Sequence, residues 1–169
     1  MAVTTSYGSR IMSGLVNTVP PVLADAGEGG GMVRKWVETL ETGAADSATS
    51  TYLVARLPSN ARILGSSKIS HDALGATTAA MGVGVYNLPG KSDITNDPDA
   101  LNTGIVTSTA GTKELLAERA NWGLPLWDFV NGQTVDPRCQ LDIKLVLEGA
   151  VNLASGAGTV TVEIDYVID

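Results

Sequence analysis

The sequence predicts an all-β protein: an antiparallel β-sandwich or jelly roll with one short helix and an extended N-terminal arm. Two observations carry this prediction. Apolar and polar residues alternate with a period of two over several short segments, and turn-forming residues recur about every ten positions. With 169 residues, the chain is most simply one domain that is large enough to bury a core.

The pattern is clearest around residues 51–57. Every second residue there lies on one face of an extended chain, and Tyr52 and Val54 lie on the opposite face. Residues 58–60 interrupt the run, because proline cannot donate to a ladder and asparagine favours turns. A second extended run follows over 62–69. The sequence therefore predicts two strands joined by a short corner.

Residues 1–31 differ from the rest of the chain. They contain many aliphatic residues, yet Pro20 and Pro21 interrupt any long helix, and the segment ends in a glycine-rich run at 27–31. We therefore expect an N-terminal arm at 1–31 and a β-sandwich domain at 32–169, with an irregular first strand as the alternative for the arm. The arm residues expected to contact a partner are Tyr7, Ile11, Met12, Leu15, Val16 and Val19.

The remaining elements follow from the same alternation. Further strands are predicted over 32–42, 81–88, 100–110, 141–147 and 160–168. A short helix is predicted over 113–121, because Thr112 can serve as its N-cap and Gly123 ends it. If the last two strands pair, Lys144 lies near Glu163 or Asp165.

Glycines alternate with valines in the strand predicted over 81–88. Gly82 and Gly84 leave one of its faces almost without side chains. Such a face either curves sharply or is approached closely by another backbone.

Composition limits the possible partners. The chain is 44% hydrophobic but only 17% charged, against about 25% in typical domains. We expect other protein to cover part of the surface, although a monomer coated with Thr and Ser is an alternative. The net charge of −7 and the scattered 11 Lys and Arg residues disfavour nucleic-acid binding and anionic membranes. No segment approaches a membrane span, and the N-terminus lacks leader features, so we expect a soluble protein made in the cytoplasm.

No motif in the sequence predicts catalysis. His71, the single histidine, stands beside Asp72 but without a Gly-x-Ser-x-Gly elbow, so a loop histidine is the better interpretation. One histidine and one cysteine, Cys139, are too few for an ordinary zinc site. The acidic segment 93–99 lacks EF-hand spacing and is predicted to be a solvated loop. We therefore expect a protein that is not an enzyme, with no catalytic residue, no cofactor and no bound metal.

Several segments resemble a group of small tailed-phage virion proteins that are often encoded beside the major capsid protein. Residues 57–68, followed by 71–75, are similar to their shared central hairpin, and three further segments are similar too: 83–86, 97–101 and 158–162. The resemblance covers roughly residues 50–168. The N-terminal 49 residues lie outside it.

The resemblance implies a capsid decoration, or cement, protein that binds the outer surface of the virion capsid and stabilises it. It also implies two partners, the major capsid protein and further copies of the chain, most often in a trimer. A glycan-binding jelly-roll module of a fibre or tail accessory protein is the alternative, with Trp36, Trp122 and Trp127 as stacking platforms instead of core residues. A hydrolase with paired carboxylates is a third class.

Overall fold

The computed structural model describes residues 32–43, 46–47, 49–74, 80–118, 121–130, 132–148 and 158–168. Over these residues the chain forms antiparallel strands and one short 3₁₀ helix, Leu126–Phe129. The strands are β1 (Arg34–Thr42), β2 (Thr51–Pro58), β3 (Ala61–Ile63), β4 (Lys68–His71), β5 (Ala80–Asn87), β6 (Asp97–Val106), β7 (Gly111–Glu114), β8 (Gln140–Glu148) and β9 (Gly158–Ile168).

The strands form two sheets, which confirms the predicted all-β sandwich. Sheet A has the order β1-β9-β4-β7, and β3 also pairs with β9. Sheet B has the order β2-β8-β5-β6. The edge strands are therefore β1 and β7 in sheet A, and β2 and β6 in sheet B.

The core lies between the two sheets and is built largely from apolar residues of the strands, with Leu74, Leu115, Leu116 and Leu126 from segments outside the strands. Its largest fully buried side chains are Leu57, Ile63, Ile69, Leu74, Met81, Leu115, Leu116, Leu126, Leu141, Ile143, Leu145 and Ile164. Burying a side chain of this kind contributes about 1.5–3 kcal/mol relative to leaving it in water. The period of two thus fixes which face of each strand turns inward.

The predicted corner after β2 carries the chain from one sheet to the other. Ser59 organises it: its backbone N–H donates to the carbonyl of Cys139 (2.8 Å), and its hydroxyl donates to Asp136 (2.5 Å). The backbone N–H of Trp127 donates to the carbonyl of Ser59 (3.1 Å). Because β2 and β3 lie in different sheets, residues 57–68 form a corner, and the hairpin implied by the resemblance is wrong.

The helix predicted over 113–121 is also wrong for the residues that the structure describes. Residues 111–114 form β7 and pair with β4. The Leu115 N–H donates to the Ser67 carbonyl next to β4, and the Ala117 N–H donates to the Leu101 carbonyl of β6, both at 3.0 Å. These long-range hydrogen bonds override a local helix propensity that is only a few tenths of a kcal/mol per residue, about 0–0.7.

The predicted pairing of the last two strands is wrong as well, because β8 lies in sheet B and β9 in sheet A. The Lys144 ammonium instead lies 4.8 Å from the centre of the Tyr86 ring. The acidic residues of β9 pair with Lys35 of β1, whose Nζ lies 2.9 Å from Glu163 and 3.3 Å from Asp165.

The glycine-lined face of β5 is closely approached by another backbone, as its sequence predicts. A Cβ at Gly84 would lie 2.4 Å from the carbonyl oxygen of Asp97 and 2.5 Å from the Cα of Pro98. The β5–β6 pairing shifts register on both sides of Val83. Glycine is therefore required where β6 crosses close to β5.

Candidate interaction surface

Edge strands β1 and β2 lie along the same side of the sandwich, which we call the β1/β2 side. The Trp36 indole N–H of β1 donates to the carbonyl of Val54 in β2 (2.9 Å) and joins the two sheets there. Val54 lies at a register shift in the β2–β8 pairing, where a bulge interrupts the ladder. A shallow groove of about 280 Å³ follows this seam and is lined by Trp36, Glu38, Leu53, Val54, Ala55 and Arg56.

The β1/β2 side exposes several apolar side chains. Val33 and Val37, just before and within β1, are 58% and 54% exposed, and Leu53 of β2 is 49% exposed. β1 pairs with β9 alone among the described strands, so the backbone N–H and C=O groups of its outer edge have no strand partner among the described residues. Apolar side chains beside an open strand edge are typical of a surface that contacts protein.

The charges of β1 are separated along the strand, with Arg34 and Lys35 at its start and Glu38 and Glu41 towards its end. Hydrogen bonds to Glu163 and then Asp165 raise the pKa of Lys35. The same bond from Lys35 lowers the pKa of Glu163. Arg34 and Glu38 make no ion pair with any other residue that the structure describes.

Edge strands β6 and β7 lie along the opposite side of the sandwich, the β6/β7 side, and their polar groups are bonded locally. The Asn102 side chain of β6 donates to the Glu114 carbonyl of β7 (2.9 Å), which links the two edges. Glu148 accepts hydrogen bonds from the Thr103 hydroxyl (3.0 Å) and the Gly104 N–H (2.8 Å). Gly104 has a positive φ of 66°, which interrupts the regular edge. This side is therefore less available to an added strand.

The single histidine is not a loop residue. His71 ends β4 and is only 6% exposed, and its Nδ1 lies 2.9 Å from the Asp72 carbonyl, to which it donates. Cys139 is half-buried, and burial raises the pKa of its thiol. Within the described part of the chain, no three His, Cys, Asp or Glu side chains are grouped to hold a metal ion.

The aromatic side chains are engaged at separate places. The Trp122 ring lies against Gly65, where a Cβ would be 2.3 Å from it. The Tyr52 hydroxyl donates to Asp46, and Tyr86 lies beneath Lys144. Trp36 is the one aromatic residue in the lining of the groove at the β1/β2 side. This distribution does not favour the stacking platform of a glycan-binding module.

The arm residues expected from the sequence to contact a partner, from Tyr7 to Val19, lie outside the described residues. The sequence did not single out the β1/β2 side. Its one signal there is that Val33 and Val37 fall on the otherwise polar face of β1. Among the described residues, no helix is long and apolar enough to cross a membrane.

Comparison with known proteins reveals a likeness of fold. No protein-family model and no curated protein sequence matches the chain. A chain in the capsid asymmetric unit of cyanophage Pam1 is similar, with a TM-score of 0.58 and 17% identity over 90% of this chain and 97% of that chain. A chain in the capsid of Ralstonia phage GP4 is similar over 83% of this chain and 86% of that one, with a TM-score of 0.54 and 17% identity. The fold is thus one found in phage capsids.

Proposed function

We propose that this chain is a structural, non-catalytic virion protein that binds the outer surface of a phage capsid and stabilises it. The observation that carries the proposal is the shared fold with a chain of the Pam1 capsid, which extends over 90% of this chain and 97% of that one. Because nearly all of each chain is covered by the match, the two polypeptides are similar in length. The resemblance of residues 50–168 to decoration proteins supports the same role.

The surface chemistry is compatible with a role in an assembly. Only 17% of the residues are charged, and the β1/β2 side exposes Val33, Val37 and Leu53 next to an open strand edge. Apolar groups of this kind gain about 25 cal/mol for each Å² that a partner covers. The net charge of −7 would keep decorated particles from adhering to one another and to nucleic acid.

We propose that the arm at 1–31 is the main contact with the major capsid protein, through its aliphatic residues between Ile11 and Val19. An extended arm can become ordered on binding and reach across a joint between capsid subunits. We further propose that the chain acts as a homo-oligomer, most simply a trimer. The role requires no nucleic acid, membrane or cofactor.

The test is co-sedimentation of the full chain with undecorated capsids. We expect Leu15→Asp to weaken capsid binding by about tenfold or more, because a carboxylate that enters an apolar interface loses its water without gaining a partner. Asn17→Asp, which adds the same charge at a polar position of the arm, is the matched control and should bind like the parent.

Two results would contradict the proposal in different ways. If Leu15→Asp binds capsids as well as the parent, the arm is not the anchor and the β1/β2 side becomes the next surface to test. If mass spectrometry finds no copy of the chain in purified virions, the virion role itself is wrong. Binding of the parent to glycans but not to capsids would favour the glycan-binding module instead.

A further inference from the structure

β1 differs from the edges that proteins usually leave open. Native edge strands are commonly short, bulged, interrupted by proline, charged or covered, because a regular open edge invites pairing with another chain. Of these devices β1 has only the charges, two basic and two acidic residues. β1 has nine residues, contains no proline and pairs with β9 from Arg34 to Thr42 without a register shift. Its free edge is therefore a regular template for one more strand.

The charges along β1 complement a second copy of the same strand. In an antiparallel pair centred on Val37, Leu40 of one copy lies opposite Arg34 of the other, and Thr39 lies opposite Lys35. Arg34 is then diagonal to Glu38 of the second copy, and Lys35 is diagonal to its Glu41. Diagonal neighbours are about 7–8 Å apart, within reach of long side chains. The two-fold axis repeats each of these pairs. No like charges stand directly opposite, and each Glu38 has both an Arg34 and the other Glu38 as diagonal neighbours.

The same register places the two exposed Val37 side chains directly opposite each other. Shifting the centre to Glu38 would instead bring two carboxylates face to face, which is destabilising. The charge pattern of β1 therefore favours the antiparallel register centred on Val37 over the one centred on Glu38.

We propose that β1 pairs antiparallel with β1 of a second copy across a two-fold axis at Val37, so that the two A sheets become one continuous sheet. This contact is additional to any three-fold contact, because a trimer ring needs two different surfaces whereas a two-fold contact uses one surface twice. In a trimeric assembly, β1 would join neighbouring trimers. The inference does not depend on capsid binding.

The first experiment is disulfide trapping in the full chain. Val37→Cys, in a Cys139→Ser background, places two thiols directly opposite, at a Cβ separation of about 4.5–5.5 Å that a disulfide can bridge with a small adjustment. Thr39→Cys is the matched control, since it lies on the same exposed face. In this register the two copies of residue 39 are displaced by four residues, or about 13 Å, along the strands.

We expect most of the Val37→Cys protein to migrate as a covalent dimer on a non-reducing gel, and Thr39→Cys to remain uncrosslinked. The inference is overturned if Val37→Cys crosslinks no better than Thr39→Cys. Neither outcome depends on capsids, so a failure here leaves the proposed virion role standing, and absence of the chain from virions leaves this contact standing.

The second experiment reverses the charges and follows self-association by sedimentation velocity over a concentration series. Glu38→Arg should weaken the two-fold contact by about tenfold, because it turns two diagonal attractions into repulsions. Adding Arg34→Glu to the same chain restores opposite charges and should recover the affinity of the parent. Equal self-association of Glu38→Arg and the parent would count against the register.

Discussion

The β1/β2 side and the β6/β7 side each consist of two edge strands, but they differ in how the polar groups along their edges are bonded. On the β6/β7 side, side chains of Asn102 and Glu148 bind backbone groups at the edge, and Gly104 interrupts its regularity. On the β1/β2 side, the Trp36 indole of β1 donates to the Val54 carbonyl of β2. β1 is regular and exposes Val37, whereas β2 is bulged at Val54 and exposes Leu53. The contrast teaches that the edge groups of the β6/β7 side are bonded within the described residues, whereas the β1 edge is the one we propose for a second copy.

The largest effect should come from the core beneath β1. Ile164 is fully buried and lies opposite Trp36 in the β1–β9 register. Ile164→Ala should lower the free energy of unfolding by about 2–5 kcal/mol, through lost burial and the cavity left behind. Urea denaturation measures this, with Val135→Ala as the control: Val135 is 71% exposed and lies outside the strands, so the variant should stay within about 0.5 kcal/mol of the parent. Equal losses in both variants would mean that Ile164 does not lie in a packed core.

A smaller loss is expected where β6 crosses β5. Gly84→Ala places a methyl group 2.4 Å from the Asp97 carbonyl, and the backbone of β6 must move. We expect a loss of about 1–3 kcal/mol, the usual cost of overpacking. Gly111→Ala is the matched control, because its Cβ would lie 3.9 Å from the nearest atoms. If the thermal unfolding curve of Gly84→Ala coincides with that of the parent, β6 does not pack closely against Gly84 of β5.

Lowering the pH should destabilise the β1/β2 side and relieve a destabilising charge on the β6/β7 side. The hydroxyl of Ser66 holds the pKa of Asp165 below its ordinary value, and Lys35 does the same for Glu163. Their stabilisation is present above the ordinary carboxyl pKa of about 4 and is lost as the pH falls through the lowered values. Burial, with Asp99 nearby, raises the pKa of Asp97 in β6, so acidification relieves a cost there.

Hydrogen exchange, corrected for intrinsic rates, measures this difference. Between neutral pH and about pH 3, we expect the amides of β1 to lose protection before those of β6. Lys35→Met removes the partner of Glu163 and should make the protection of β1 less dependent on pH. If the amides of β6 lose protection before those of β1, the predicted difference between the two sides is wrong.

The sequence predicted most strands because alternation is a local property. It also predicted the close approach at Gly84, because a strand face without side chains leaves room for a neighbouring backbone. It failed where distant backbone groups compete for a bond, as Ser67 does for the N–H of Leu115. Local propensity contains no information on such partners.

The candidate surface was harder to predict than the fold. The position of β1 beside β2 follows from the pairing of β1 with β9, whose residues lie more than a hundred positions away. Nothing near Trp36 in the sequence indicates that its indole bonds to Val54. The apolar residues Val33 and Val37 on a polar face were the only local sign, and single exposed valines are common in any protein.

The position of β9 has a consequence for the order of events during synthesis. Among the described strands, β9 is synthesised last, and it is the strand against which β1, β3 and β4 all pair. Sheet B can pair as soon as β8 has emerged, whereas three strands of sheet A wait for residues 158–168. Pairing over such long sequence separations is slow. A chain that stops before residue 158 would hold four strands in one sheet and lack the strand that gives the other its centre.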